Sequence, residues 1–143
     1  MNSELIIAIH ALAYLDHVPY RNVSSEELAE SICTNPARIR KVMAKLKKAG
    51  LLQTKEGNSG GYVLNKCAQK ITLASINEAL QSAVVKSGWK SGTLNTTCMI
   101  ATGMGTVCDE LNEALNQTCL DYLQTITIAD IGAQLIALKK QDN

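Results

Sequence analysis

The chain has 143 residues, 46% hydrophobic but only 3% aromatic, with no phenylalanine, a net charge of +1 and five cysteines. That length suits one domain with a helical extension, and a core of Leu, Ile, Val, Ala and Met favours helices packed on helices over an aromatic-rich sheet enzyme. The odd cysteine count argues against a disulfide-built secreted scaffold, and no run approaches the ~20 apolar residues of a membrane span. Met1-Asn2-Ser3-Glu4 carries an acid and no basic n-region, so a cytoplasmic protein without a membrane partner is expected.

In chain order, Ser3 to Asp16 reads as a helix, with Leu5, Ile6, Ile9, Leu12, Ala13 and Leu15 on its apolar face and Pro19 ending the segment. Ser24 and Glu27 then match a capping box before a short helix with Leu28, Ala29 and Ile32 inward. Cys33-Thr34 is a tight turn. Asn35 is a suitable N-cap and Pro36 a suitable first residue for a second helix, which runs to Ala49 and stops at Gly50. Ile39, Val42, Met43 and Leu46 face inward, leaving Arg38, Arg40, Lys41, Lys45 and Lys48 outside.

Two helices joined by a short turn, the second opening on Asn-Pro, form a helix-turn-helix. Between Pro36 and Lys55 every charge is positive; between Ala101 and Leu138 every charge is negative. A basic head on an acidic body suggests that the head binds a polyanion. Residues early in such a second helix reach base edges, while later ones meet phosphates.

Leu51 to Lys55 and Tyr62 to Asn65 read as strands around the turn Gly57-Asn58-Ser59-Gly60-Gly61. A phosphate-binding P-loop would need a Gly-Lys-Ser/Thr ending and a following helix; here a strand follows, so the hairpin reads as a wing. Thr72 to Ala83 is a further amphipathic helix with Leu73, Ile76, Ala79 and Leu80 inward. Residues 84–105 look irregular and mobile because of their glycines. A long helix is predicted from Thr106 to Gln124, with Cys108, Leu111, Leu115, Thr118 and Tyr122 as a coiled-coil-like seam. Thr127 to Lys139 forms the last helix, with Ile128, Ile131, Leu135 and Leu138 on one face. The predicted fold is mainly α with a small β-hairpin wing: a winged helix-turn-helix over residues 1–83, a sensor loop over 84–105, and dimerisation helices over 106–143. Such a seam suits a homodimer whose two-fold axis presents two reading helices to two half-sites.

The order of these features resembles the Rrf2 family of bacterial winged-helix regulators, which includes the iron–sulfur cluster regulator and the nitric-oxide-sensitive repressor. The resemblance rests on Leu46-Lys47-Lys48-Ala49-Gly50-Leu51-Leu52, the wing Gly60-Gly61-Tyr62-Val63-Leu64, Ile71-Thr72-Leu73, the cysteines before a long helix, and Ile126-Thr127-Ile128. It implies a dimer that binds a double-stranded DNA operator, usually as a repressor. The implied DNA contacts are Ser24, Ser25, Asn35, Ala37, Arg38, Arg40, Lys41 and Lys45 in the helix-turn-helix, with Lys55, Asn58, Ser59, Gly60 and Tyr62 on the wing. Where members often carry arginine before the first wing glycine, this chain has Glu56, and Lys55 would project from the other face of the strand.

Cluster-binding members hold a two-iron two-sulfur centre with three closely spaced cysteines, whereas here only Cys98 and Cys108 precede or open the long helix. Cys119 lies roughly 16 Å beyond Cys108 by helical rise, so neither a cluster nor another metal or cofactor is expected. The competing reading is a thiol switch through Cys33, Cys98 and Cys108, with Cys33 near Arg38 and a helix N-terminus; Cys67 and Cys119 read as packing residues. An enzyme is not expected, because there is no Ser/His/Asp array and no HExxH, and both histidines, His10 and His17, lie near the N-terminus. The alternatives left open are a cluster-containing sensor and a winged helix used only for protein contacts.

Overall fold

The computed structural model describes residues 1–142. The chain runs through α1 (Ser3–His17), α2 (Ser25–Ile32), α3 (Pro36–Lys48), β1 (Leu52–Lys55), β2 (Gly61–Leu64), a single 3-10 turn (Ala68–Lys70), α4 (Leu73–Leu80), α5 (Met99–Gln124) and α6 (Ile128–Gln141). This is the mainly helical architecture with a two-stranded wing that the sequence predicts.

Asn2 opens α1 by accepting from the backbone N–H of Leu5 at 2.8 Å, which satisfies one of the helix's orphan donors. Packing against α2, α3, α4 and α6, α1 is covered on more than one side. Leu5, Leu12 and Leu15 are buried as predicted, but so are Ile7, Ala8 and Ala11, while Ile6 is exposed. A single apolar stripe under-reports a helix enclosed this way.

Ser24 caps α2 through Glu27 N–H at 3.1 Å. The reciprocal half of the expected capping box does not form. The Glu27 carboxylate instead accepts from the two terminal Arg21 guanidinium nitrogens (2.8 and 2.5 Å) and from the Tyr14 hydroxyl (2.6 Å). A bidentate guanidinium outcompetes one backbone N–H for a carboxylate.

α3 matches its sequence pattern closely. Asn35 accepts from Arg38 N–H at 2.8 Å, Pro36 occupies the first turn, and Ile39, Val42, Met43 and Leu46 are completely buried. Gly50 takes φ +77, and Gly50 N–H and Leu51 N–H return to Lys47 O and Leu46 O at 2.9 and 3.1 Å, closing the helix end.

β1 and β2 pair antiparallel from Leu52↔Leu64 to Lys55↔Gly61. A third segment, not anticipated from the sequence, joins them: Val23 exchanges two backbone hydrogen bonds with Tyr62, at 3.0 and 2.8 Å. Only glycine permits this approach, because a Cβ on Gly61 would fall 2.4 Å from Val23 O.

α4 ends at Gln81, in the left-handed region at φ 52, short of the predicted Ala83. Its start is tied to the α5–α6 junction by Leu73 N–H to Ile126 O and Ile128 N–H to Ile71 O, both 2.9 Å. Leu123 and Ile128 accordingly join the same core as α1 to α4.

The main difference from expectation concerns α5, which begins at Met99 rather than near Thr106. Of the glycines that read as breakers, Gly92 and Gly105 serve packing instead. Residues 84–98 form no helix or strand, and part of this segment lies along the first turns of α5. There Thr93 N–H donates to Ala101 O at 2.9 Å and Lys90 Nζ pairs with Asp109 at 2.8 Å. A Cβ on Gly105 would meet Lys90 Cε at 2.7 Å.

Candidate nucleic-acid interface

The 3.6-residue period of α3 places Ala37, Lys41, Ala44 and Lys48 along one outward line, opposite the buried Ile39, Val42, Met43 and Leu46. Arg40 and Lys47 flank that line on one side, Arg38 and Lys45 on the other. The two alanines on it keep the helix surface locally low enough for close approach to base edges, and a methyl group suits thymine. The predicted positions Ala37, Arg38, Arg40 and Lys41 are all exposed, and Lys45 is half-buried.

The flanking bases are held by the protein's own groups. Toward α1, Arg38 donates to Ser3 Oγ at 2.5 Å, while Lys45 and Lys41 lie 2.7 and 3.6 Å from the Glu4 carboxylate. The Lys45 ammonium, through its hydrogen bond first of all, holds the Glu4 carboxyl below its usual range. Toward the wing, Arg40 reaches Ser25 Oγ at 3.1 Å and Glu26 at 3.3 Å, and Lys47 donates to Thr54 Oγ1 at 2.7 Å.

Ser24 and Ser25, predicted as DNA contacts, both have their hydroxyls engaged internally. Ser24 caps α2, and the buried Ser25 sits between Arg40 and Glu26. They frame the start of α2 beside α3. Asn35 is exposed at the head of α3 while its side chain caps the helix.

On the wing, Lys55, Asn58 and Ser59 are exposed and Gly60 and Tyr62 half-buried. The tip is held by Gly60 N–H to Gly57 O at 3.1 Å and by Asn22 Nδ2 to Ser59 O at 3.2 Å. Burial pushes the Tyr62 phenol up, and its titration also feels Arg40 and Glu26, so β2 and the α3 flank share one electrostatic environment. Glu4, Ser3, Glu26 and Asn22, which shape this face, carry no local sequence signal because their partners are distant in the chain.

The cysteines do not converge. Cys33 is exposed at the end of α2 in the left-handed region, φ 59. Arg38, expected to lie beside it, is turned to Ser3 instead. Cys98 immediately precedes α5, and because the helix starts at Met99 it stands about 15 Å from Cys108 by helical rise. Cys108 and Cys119 are half-buried, and Cys67 is exposed. Among the described residues no three His, Cys, Asp or Glu side chains gather as a metal-ligand set.

Comparison with known proteins places this geometry. Residues 1–134 match the model of the Rrf2 family, described as an iron-dependent transcriptional regulator. The chain is 28% identical over 131 residues to the HTH-type transcriptional regulator YwnA of Bacillus subtilis, covering 92% of this chain and 96% of that one. A crystal structure of a transcriptional regulator from Lactobacillus plantarum superposes with a TM-score of 0.81 at 26% identity, over 99% of both chains. The fold is also that of T. potens IscR, with a TM-score of 0.68 at 21% identity over 94% of this chain and 87% of that one. These relatives are transcriptional regulators and not enzymes, and the chain, matched nearly end to end, belongs to the Rrf2 family of DNA-binding transcriptional regulators.

Proposed function

We propose that the protein is a cytoplasmic, homodimeric repressor that seats α3 in the major groove of its operator and lays the wing along the backbone. The observation that carries this reading is the outward line of α3: alanines alternating with Lys41 and Lys48, bases on both flanks and no acid anywhere on the helix. Ala37, Arg38, Arg40 and Lys41, one turn or so from the helix start, take the base edges, and Lys48 and Lys55 take phosphates, with Lys45 beside them paired to Glu4. Ser24, Ser25, Asn58, Ser59, Gly60 and Tyr62 line the neighbouring backbone. Dimerisation is supported by Leu111, Leu115 and Tyr122, large apolar side chains exposed along α5. A dimer that covers promoter DNA excludes polymerase, so repression is the default outcome of binding.

The iron in the family's description does not fit the cysteines of one chain. With Cys98, Cys108 and Cys119 spread along α5 at spacings of about 15 Å, they cannot share a two-iron two-sulfur centre. We infer a regulator that works without a metal or cofactor, its input falling on exposed thiols such as Cys33 and Cys98, with Cys108 less accessible. Diamide oxidises two thiols to a disulfide and takes up the two electrons and two protons. Diamide-induced cross-linking on non-reducing gels that disappears in Cys33→Ser supports this input, and unchanged cross-linking and DNA binding rejects it.

The deciding experiment for the function is selection of bound duplexes from random DNA. A recovered two-fold-symmetric site bound in a salt-dependent manner is expected. No enrichment and no duplex binding at low salt would leave the winged helix as a protein-contact module.

A further inference from the structure

The first turn of α1 puts a fixed carboxylate beside the α3 face. Asn2 caps α1 and is itself anchored, its Nδ2 donating to Ser82 Oγ at 2.8 Å, while Ser82 hydrogen-bonds the buried Asn77. Glu4 therefore stands in a defined position, 2.7 Å from Lys45 and 3.6 Å from Lys41, with Ser3 holding Arg38 one residue earlier.

The two acids next to α3 differ in shielding. Glu26 and Arg40 are 68% and 56% exposed, so their pair exchanges readily for solvent or phosphate. Glu4 and Lys45 are 27% and 36% exposed and sit at hydrogen-bond distance, so their attraction is screened less. The α1–α3 contact has apolar support of its own in Leu5, Leu12, Val42 and Leu46. The net stabilisation from a partly exposed pair is small, so its main effect falls on the charge that α3 offers to DNA.

We propose that Glu4 is a specificity-determining residue: by retaining Lys45 it withholds that charge from phosphates and suppresses sequence-independent binding, whereas Lys41, 70% exposed and 3.6 Å away, stays available to DNA. This rests on α3 being the reading helix. Non-specific complexes are held almost wholly by phosphate neutralisation, and a lysine tethered to Glu4 contributes less to them because that pair must open first. On the operator, base contacts from Arg38 and Arg40 hold the helix in register, so the loss is proportionally smaller. Glu4 thus widens the gap between operator and bulk DNA.

The test compares wild type with Glu4→Gln on a random-sequence duplex and on the duplex the protein itself selects, titrated between 50 and 200 mM salt. The substitution is expected to steepen the salt slope on random DNA by about 0.9 for each phosphate gained. Going from 200 to 50 mM then brings an extra gain in affinity of about 3.5-fold for one phosphate. Operator affinity rises less, so the specificity ratio falls, and adding Lys45→Gln to Glu4→Gln abolishes the gain. Unchanged affinity and slope in a Glu4→Gln protein that melts like wild type would overturn the role of Glu4 and leave the α3 reading standing. Absence of salt-dependent duplex binding by wild type itself would overturn the α3 reading, and the role of Glu4 with it.

Discussion

Replacing Gly61 with alanine tests how the wing is rooted. At φ +149 the residue lies where side chains are rarely tolerated, which costs roughly 1–3 kcal/mol. The added Cβ would also fall 2.4 Å from Val23 O, so the Val23–Tyr62 bridge must open. That bridge holds two backbone hydrogen bonds at 3.0 and 2.8 Å, each contributing about 1 kcal/mol net. The sum is about 3–5 kcal/mol. With an unfolding entropy of about 2.1 cal/mol/K per residue, this chain of 143 residues loses about 10 °C in Tm for 3 kcal/mol. Two other glycines separate the contributions. Gly57 has φ +105 but open space around it, so Gly57→Ala bears the backbone strain alone. Gly88 has neither constraint, and Gly88→Ala is neutral or stabilising by about 0.4–1 kcal/mol. Thermal melts followed by circular dichroism rank the three variants. If Gly61→Ala melts with Gly57→Ala, the close approach to Val23 does not govern the site and the rooting argument fails.

Three further outcomes follow from the structure. Arg21 and then Tyr14 hold the Glu27 carboxyl down at about 2, below an unfolded value of about 4.3. Its contribution to stability is therefore complete at neutral pH and fades as pH falls from about 5 toward 2; melts of Glu27→Gln over that window should be flatter than wild type, and parallel curves contradict the assignment. Leu111 and Leu115 are 59% and 53% exposed in the single chain, so the double lysine substitution should convert a dimer to a monomer by light scattering while helical content is kept; an unchanged mass sends the interface elsewhere. Asn35→Ala removes the cap on Arg38 N–H, which should lower stability by about 1 kcal/mol and weaken DNA binding by fraying the turn that carries Ala37 and Arg38; binding at full strength would detach that turn from recognition.

How much of the fold the sequence discloses depends on whether the signal is local. α3 is legible to the residue because cap, proline, apolar period and terminal glycine all lie within sixteen positions, Asn35 to Gly50. The start of α5 is not, because Gly103 and Gly105 look like breakers until Lys90 and Ser91 are seen packed over Gly105. The same holds at Val23: a one-residue bridge has no periodicity, and its necessity shows only in the space Gly61 leaves open. The failed half of the capping box has a similar origin, since Arg21 and Tyr14 compete for Glu27 from outside the motif.

The interface follows this rule with a consequence for function. A count along the sequence credits α3 with six bases and no acid, but the charge a phosphate meets depends on what each base already holds. Lys45 and Glu4 are 41 positions apart, and Arg40 and Glu26 fourteen, so neither pair is visible to a window drawn along one helix. Both acids sit in the first turn of another helix, where a carboxylate complements the helix dipole and where their own segments give reason enough for an acid. Folding turns those local choices into counter-charges for α3. Arg40, whose pair is open to solvent, can trade Glu26 for DNA at little cost, while Lys45, whose pair is shielded, cannot do so as cheaply. The number of phosphates this face neutralises is therefore set by tertiary pairing rather than by its base count, and the salt slope of DNA binding measures that number directly.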